Sequence, residues 1–341
     1  MKILLIGSLP PPLGGTSLTL ELLKNELESD SEIDLRVINT VGIRQNASKL
    51  PLRIIQLLIE CVKNIRQTDV VSLHIATTAL PSVGLAIGLL CKALKKPYIL
   101  RKFASTDYQS GSIKSYLNQC AIRLSTLFLV ETQALVTLSQ QRGFEHTRWF
   151  PTHRNPPLIA KKTCSEYAKR FVFVGHVREY KGINELIEAS QKLQGVDVEI
   201  DIYAPLFSPF TKENIQTEHI RYKGVLKPSD VMSILQNYDA LILPTKAPTE
   251  GYPGAIVEAL TVGIPVITTQ CGAIPELVGE DCGIIIPPGQ VEAIALAIRS
   301  LRFDTQKYQM IKKNVSNRSI GLTTGYWTEV FKSYCEQSKH L

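Results

Sequence analysis

From end to end the 341-residue chain alternates short, apolar, β-branched runs with amphipathic segments of helix length, and that alternation admits few architectures. A strand buried on both faces, then a helix, then another buried strand builds a parallel sheet covered by helices. In the first half strands are expected at 2–6, 33–38, 70–74, 98–101, 127–130 and 148–150, with helices at 16–28, 51–66 and 82–94. In the second half strands are expected at 171–174, 198–203, 220–222, 240–243, 265–268 and 283–286. The chain is too long for one ordinary core, so the expected fold is α/β, with two Rossmann-like doubly wound domains facing a cleft. The segment THRNPPLIAKKTCS, 152–165, has neither helical nor strand period and is expected to be the linker. The domains are therefore placed at 1–165 and 166–322. The last segment, 323–341, carries Tyr326, Trp327, Phe331 and Tyr334 on a helical pattern and is expected to return to the first domain.

Composition narrows the class. Hydrophobic residues at 44% and charged residues at 20% belong to a folded globular protein. The seven cysteines are odd in number and lack C-x-x-C spacing, so zinc and redox sites are not expected and the thiols read as reduced, which points to the cytoplasm. The amino terminus runs into a Pro/Gly turn instead of a cleavage site, and the apolar stretch 79–94 is shorter than the roughly 20 residues of a spanning helix. The net charge is +7: residues 1–150 hold 17 Lys/Arg against 11 Asp/Glu, and 151–341 hold 21 against 20. A basic first half suits anionic lipid or a phosphorylated substrate. Without an arginine run or a base-stacking motif, nucleic acid is not an expected partner.

Three segments carry chemistry. Gly14 and Gly15 stand between the first strand and the first helix, where backbone N–H groups and the helix dipole can meet an anion. The spacing is not G-x-G-x-x-G, which argues against a nicotinamide cofactor, and the pair alone is equally consistent with a tight turn. The run FVFVGHVREYKG, 171–182, empties a buried strand into a loop holding His176, Arg178 and Lys181. Ligands of open α/β sheets bind beyond the carboxyl ends of strands, so these cations could meet a diphosphate, although a solvated basic loop would read the same. The run PTKAPTEGYPGAIVEAL, 244–260, follows another strand. Pro253 is expected at the first helical position, with Gly254 and Ala255 leaving the helix start open to phosphate. Glu258 then lies about 6 Å further along the axis, at the height of a ribose, and Glu250 faces the sugar.

With these segments placed, the chain resembles the family 4 glycosyltransferases over essentially its whole length, most strongly from Phe171 to Pro288. Four features carry the resemblance: the glycine pair, FVGHVREYKGINELIEA, the E-x7-E element EGYPGAIVEAL, and VGIPVITTQCGAIPELV followed by CGIIIPPG. It implies the GT-B fold and retaining transfer from a nucleotide-sugar to a saccharide or lipid-linked saccharide, as in bacterial surface-polysaccharide synthesis. No metal and no cofactor beyond the nucleotide-sugar co-substrate are implied. By the same resemblance Lys181 contacts the diphosphate, Glu258 the ribose and Glu250 the donor sugar. Gly14, Gly15, His176, Tyr252, Pro253, Gly254 and Ala255 complete the donor site. The family's usual arginine after F-V-G is His176 in this chain, with Arg178 two residues later, so the second phosphate contact is His176 or Arg178. Lys181, Arg178 and Glu250 are the expected catalytic residues.

The acceptor is expected on the first domain, where Arg101, Lys102 and Asp107 follow a strand. Helix 51–66, rich in Leu and Ile and flanked by Lys49, Arg53, Lys63 and Arg66, fits peripheral contact with an anionic membrane at its inner face. A core-facing helix with solvated basic residues is the reading this pattern favours. Two rival functions keep the donor site: a nucleotide-sugar epimerase of similar fold, and a non-catalytic nucleotide-binding assembly protein.

Overall fold

A computed structural model describes residues 1–11, 14–41, 59–103, 112–157 and 165–341. The chain divides into two compact units, Met1–His153 with Thr324–Leu341, and Arg154–Thr323.

In the first unit six parallel strands, β1 (Lys2–Gly7), β2 (Asp34–Asn39), β3 (Val70–Ala76), β4 (Tyr98–Phe103), β5 (Leu127–Val130) and β6 (Thr147–Trp149), stand in the order β2-β1-β3-β4-β5-β6. Alternate residues feed two cores. Leu4, Ile6, Val71, Leu73 and Leu100 face one side, where helix Leu85–Ala93 contributes Ile87 and Cys91 and helix Ile113–Arg123 contributes Ala121 and Ile122. Ile3, Val70, Ile99 and Leu127 face the other, against Leu23 and Leu27 of helix Gly15–Ser29. The expected helix 82–94 starts instead with a π-turn, Leu80–Gly84, before its α-helical part.

The carboxyl-terminal helix Thr324–Ser338 belongs to this unit. Trp327, Phe331 and Cys335, four apart, form one stripe on Ile3, Leu27 and Phe150. Lys332 Nζ meets Asp30 at 2.7 Å and Tyr334 donates to the Trp149 carbonyl at 3.1 Å.

The second unit holds β7 (Arg170–Val174), β8 (Glu199–Tyr203), β9 (Ile220–Gly224), β10 (Ala240–Leu243), β11 (Val266–Thr269) and β12 (Gly283–Ile286), in the order β12-β11-β10-β7-β8-β9. All pairings are parallel. Counted from the start of the unit this is the 3-2-1-4-5-6 order mirrored, so the winding direction reverses between β7 and β10. The chain segments leaving those two strands carry Lys181 and Glu250.

The unit boundary lies at His153/Arg154 and not near 165. Thr152, His153 and Arg154, expected in a linker, are buried. Arg154 pairs with Thr323 in a parallel bridge and its N–H donates to Leu322 at 3.0 Å, while Ser165 donates to Asp239 at 2.8 Å. Backbone and side-chain hydrogen bonds thus hold both ends of the aperiodic segment, where no hydrophobic period could announce them.

Candidate active site at the sheet switch point

The segments after β7 and β10 are tied together by close backbone contact. Gly182 has φ +76, and a Cβ there would lie 1.9 Å from the Pro244 carbonyl oxygen, so only glycine permits the approach. Thr245 Oγ1 and the Lys246 N–H both donate to the Tyr180 carbonyl, at 3.2 and 2.7 Å. The result brings Lys181 Nζ into an ion pair with Glu250 Oε1, joined at 3.3 Å by Thr245 Oγ1. Glu250 is fixed from behind as well: its carbonyl accepts from the Ala273 N–H at 2.9 Å, and a Cβ on Gly272 (φ +53) would lie 2.1 Å from that carbonyl oxygen.

Next comes helix Gly254–Thr261. Pro253 is its N-cap, one position earlier than expected, with φ −60 and ψ 126. Intrahelical bonding begins with Ile256 and Val257 donating to the Pro253 carbonyl, which leaves the Gly254 and Ala255 amides outside the ladder. The helix dipole adds positive potential at the same place. Glu258 points back toward this end, as helical side chains do: its Oε1 is 3.8 Å from the position a Gly254 Cβ would take. Tyr252 is buried and hydrogen-bonded to Glu276, which anchors the loop between the two glutamates.

Of the alternative second cations, Arg178 is exposed, with its guanidinium 3.8 Å above the Phe207 ring. His176 packs edge-on to the same ring at 5.5 Å. Its imidazole is held below the ordinary histidine range, by desolvation first and then by the charges of Arg178 and Lys181. His176 is therefore a neutral side chain near neutral pH, not a cation.

Arg154 was not expected at all. Its Nε donates to Glu258 Oε1 at 2.8 Å, and the two side chains are 4% and 12% exposed. Nothing local marks it, because an arginine in a proline-bearing aperiodic stretch reads as solvated.

In the first unit Gly14 is the N-cap of helix Gly15–Ser29, and its N–H donates to Ser17 Oγ at 2.9 Å. A Cβ on Gly15 would meet no described atom within 4 Å, so packing does not require a glycine there. The acceptor expectation needs correction. Arg101 and Lys102 lie in β4, an inner strand, and are 1% and 3% exposed. The Arg101 guanidinium is sandwiched between Phe103 and Phe150, 4.5 and 4.4 Å from their ring centres, and donates to the Pro151 carbonyl at 3.0 Å. Burial lowers its pKa to about 9. This cation is part of the core, not of an open acceptor surface. Asp107 and residues 49–58 lie outside the described residues.

The two parallel six-stranded sheets with their helices match the GT-B glycosyltransferase architecture. HepE of Anabaena, solved with UDP, superposes with a TM-score of 0.75 over 99% of this chain and 100% of HepE at 18% identity. Residues 157–318, most of the second unit, match the family described as glycosyl transferases group 1. Among curated relatives, WcaL of Escherichia coli K12, named for colanic acid biosynthesis, is 30% identical over 191 residues, 52% of this chain and 45% of WcaL. The D-rhamnosyltransferase WbpZ of Pseudomonas aeruginosa is 26% identical over 162 residues, 45% of this chain and 41% of WbpZ. The chain spans about half the length of these relatives. The resemblance to family 4 rests on these findings as well as on the motifs.

Proposed function

We propose that the chain is a retaining, metal-independent glycosyltransferase that moves a sugar from a nucleotide-sugar to a saccharide or lipid-linked saccharide in cell-surface polysaccharide synthesis. The observation that carries this reading is the placement of Lys181, Glu250 and the open start of helix Gly254–Thr261 around the reversal between β7 and β10. The UDP held by HepE and the polysaccharide names of the relatives support a nucleotide donor and a saccharide acceptor. The diphosphate sits at the Gly254 and Ala255 amides with Lys181 beside it, and Glu258 takes the ribose hydroxyls. As the bond from the anomeric carbon to the diphosphate oxygen breaks, its electron pair stays on that oxygen, where Lys181 and the helix start stabilise it. The acceptor hydroxyl attacks the same face of the sugar and its proton passes to the departing phosphate oxygen. Glu250 orients the sugar and holds Lys181, so it positions and does not attack; the two-carboxylate arrangement of a retaining hydrolase is not needed.

A thermal-shift screen of nucleotide-sugars selects the donor, since only a ligand of the folded state raises Tm. Proton NMR of the first product then reads the anomeric configuration. A product of inverted configuration, or turnover abolished by EDTA and restored by a divalent ion, overturns the mechanism. Consumption of donor without any acceptor, giving an epimer, selects the epimerase reading instead.

Membrane contact has its own support. Helices Leu85–Ala93 and Ile113–Arg123 pack side by side and leave Leu89, Ile113 and Tyr116 exposed near Lys92 and Lys114. Apolar tips among lysines suit the interface of an anionic bilayer. No described helix is long and apolar enough to cross a membrane. Co-sedimentation with phosphatidylglycerol vesicles at low salt, weakened by Ile113→Glu, is the expected result; no binding at low salt overturns the idea.

A further inference from the structure

We propose that Arg154 is a positioning residue of the nucleotide site, holding the Glu258 carboxylate in place to receive the ribose hydroxyls; this rests on the nucleotide-sugar reading above. Three observations converge on it. The Arg154 Nε donates to Glu258 Oε1 at 2.8 Å, a charge-assisted bond that fixes this oxygen and leaves Oε2 to accept from a diol. The guanidinium also lies directly over the start of helix Gly254–Thr261, since a Cβ on Gly254 would come within 2.6 Å of Nη2. Glycine at 254 therefore makes room for the arginine as well as exposing its own amide. Finally, the backbone of Arg154 is pinned by its bridge to Thr323 and its bond to Leu322, so the long side chain starts from a fixed point.

The arrangement has an electrostatic reason. Glu258 is a half-buried acid one turn from a helix start at which a diphosphate is to bind, and without a partner its charge would repel that ligand. Arg154 neutralises it locally while fixing its geometry. A second side-chain cation is thereby placed beside the phosphates, where Arg178 is instead stacked on Phe207 and His176 is neutral.

The test compares ribose discrimination. The full chain is titrated calorimetrically with UDP, GDP and ADP, and the tightest of these is carried forward with its 2′,3′-dideoxy analogue. Wild type is expected to lose about tenfold in affinity for the analogue, as for loss of one hydrogen bond to a charged group. Arg154→Met is expected to weaken the natural nucleotide and to bring the ratio between the two ligands close to one. Arg154→Lys, which keeps a charge over the carboxylate but lacks the Nε donor, is expected to reduce the ratio at least threefold and serves if the methionine variant does not fold. Glu258→Gln should abolish discrimination by itself, and Arg154→Met added to it should change the ratio no further. A folded Arg154 variant that discriminates as well as wild type overturns the proposal, because a merely structural arginine would change Tm and leave the ratio intact. Wild type that binds none of the three nucleotides overturns the nucleotide-sugar reading itself.

Discussion

Replacing Gly272 by alanine should damage the candidate active site from behind without touching any of its side chains. Gly272 has φ +53, a conformation that costs a non-glycine residue about 1–2 kcal/mol. The added Cβ would lie 2.1 Å from the Glu250 carbonyl oxygen, far inside the 3.4–4 Å of ordinary contact. Relief requires moving the Glu250 backbone by more than an ångström, at about 1–3 kcal/mol for overpacking. The Ala273 N–H bond to the same oxygen is then lost, about 1 kcal/mol more. The expected destabilisation is about 3–6 kcal/mol. Gly289→Ala is the internal control: it shares the positive φ, +75, but meets nothing within 4 Å, and so carries only the conformational cost of about 1–2 kcal/mol. Urea melts of the two variants read the difference, and donor turnover reads its consequence. A shift of about 1 Å in a positioning group costs on the order of 100-fold, so Gly272→Ala should lose that much while Gly289→Ala keeps its rate. Equal melts for the two, with Gly272→Ala turning over within twofold of wild type, would refute the reasoning.

Lys181→Ala is expected to lower turnover on the order of 100-fold or more, the usual effect of deleting one group that stabilises developing negative charge, while the urea midpoint moves little. Phe331→Ala, which empties a fully buried site beneath the carboxyl-terminal helix, should destabilise the first unit by about 3–5 kcal/mol, measured by denaturant melts. His74 is held well below the usual histidine range, by burial first and by Arg101 second. Below about pH 6.5 the unfolded chain therefore takes up a proton that the folded chain refuses, and stability falls by up to about 1.4 kcal/mol per pH unit. His74→Gln should flatten that slope between pH 6.5 and 5 in urea melts, whereas an unchanged slope would assign it to other groups.

Each of the twelve expected strand runs overlaps a strand, and the inner ones β1, β3, β10 and β11 were plainest because a strand buried on both faces must be a nearly uninterrupted apolar run whatever it packs against. The aromatic stripe of the last helix was legible for the same reason: its period is local. The Glu250–Glu258 spacing and Lys181 likewise marked the loop and helix start at which the donor is proposed to bind, since a loop that exposes a helix start has its own composition. What only the tertiary structure decided is which charges meet. Lys181 and Glu250 stand 69 residues apart, and Arg154 and Glu258 stand 104 apart. Arg101, which follows the expected pattern of an exposed cation after a strand, is instead buried between two phenyl rings, one of them from the distant Phe150. Periodicity records how each segment divides water from core, but the partner of a charge depends on chain crossings that no local pattern encodes. Arg154 is the clearest case: in the sequence it belongs to a linker, and in the folded chain it holds the carboxylate on which nucleotide recognition is proposed to depend.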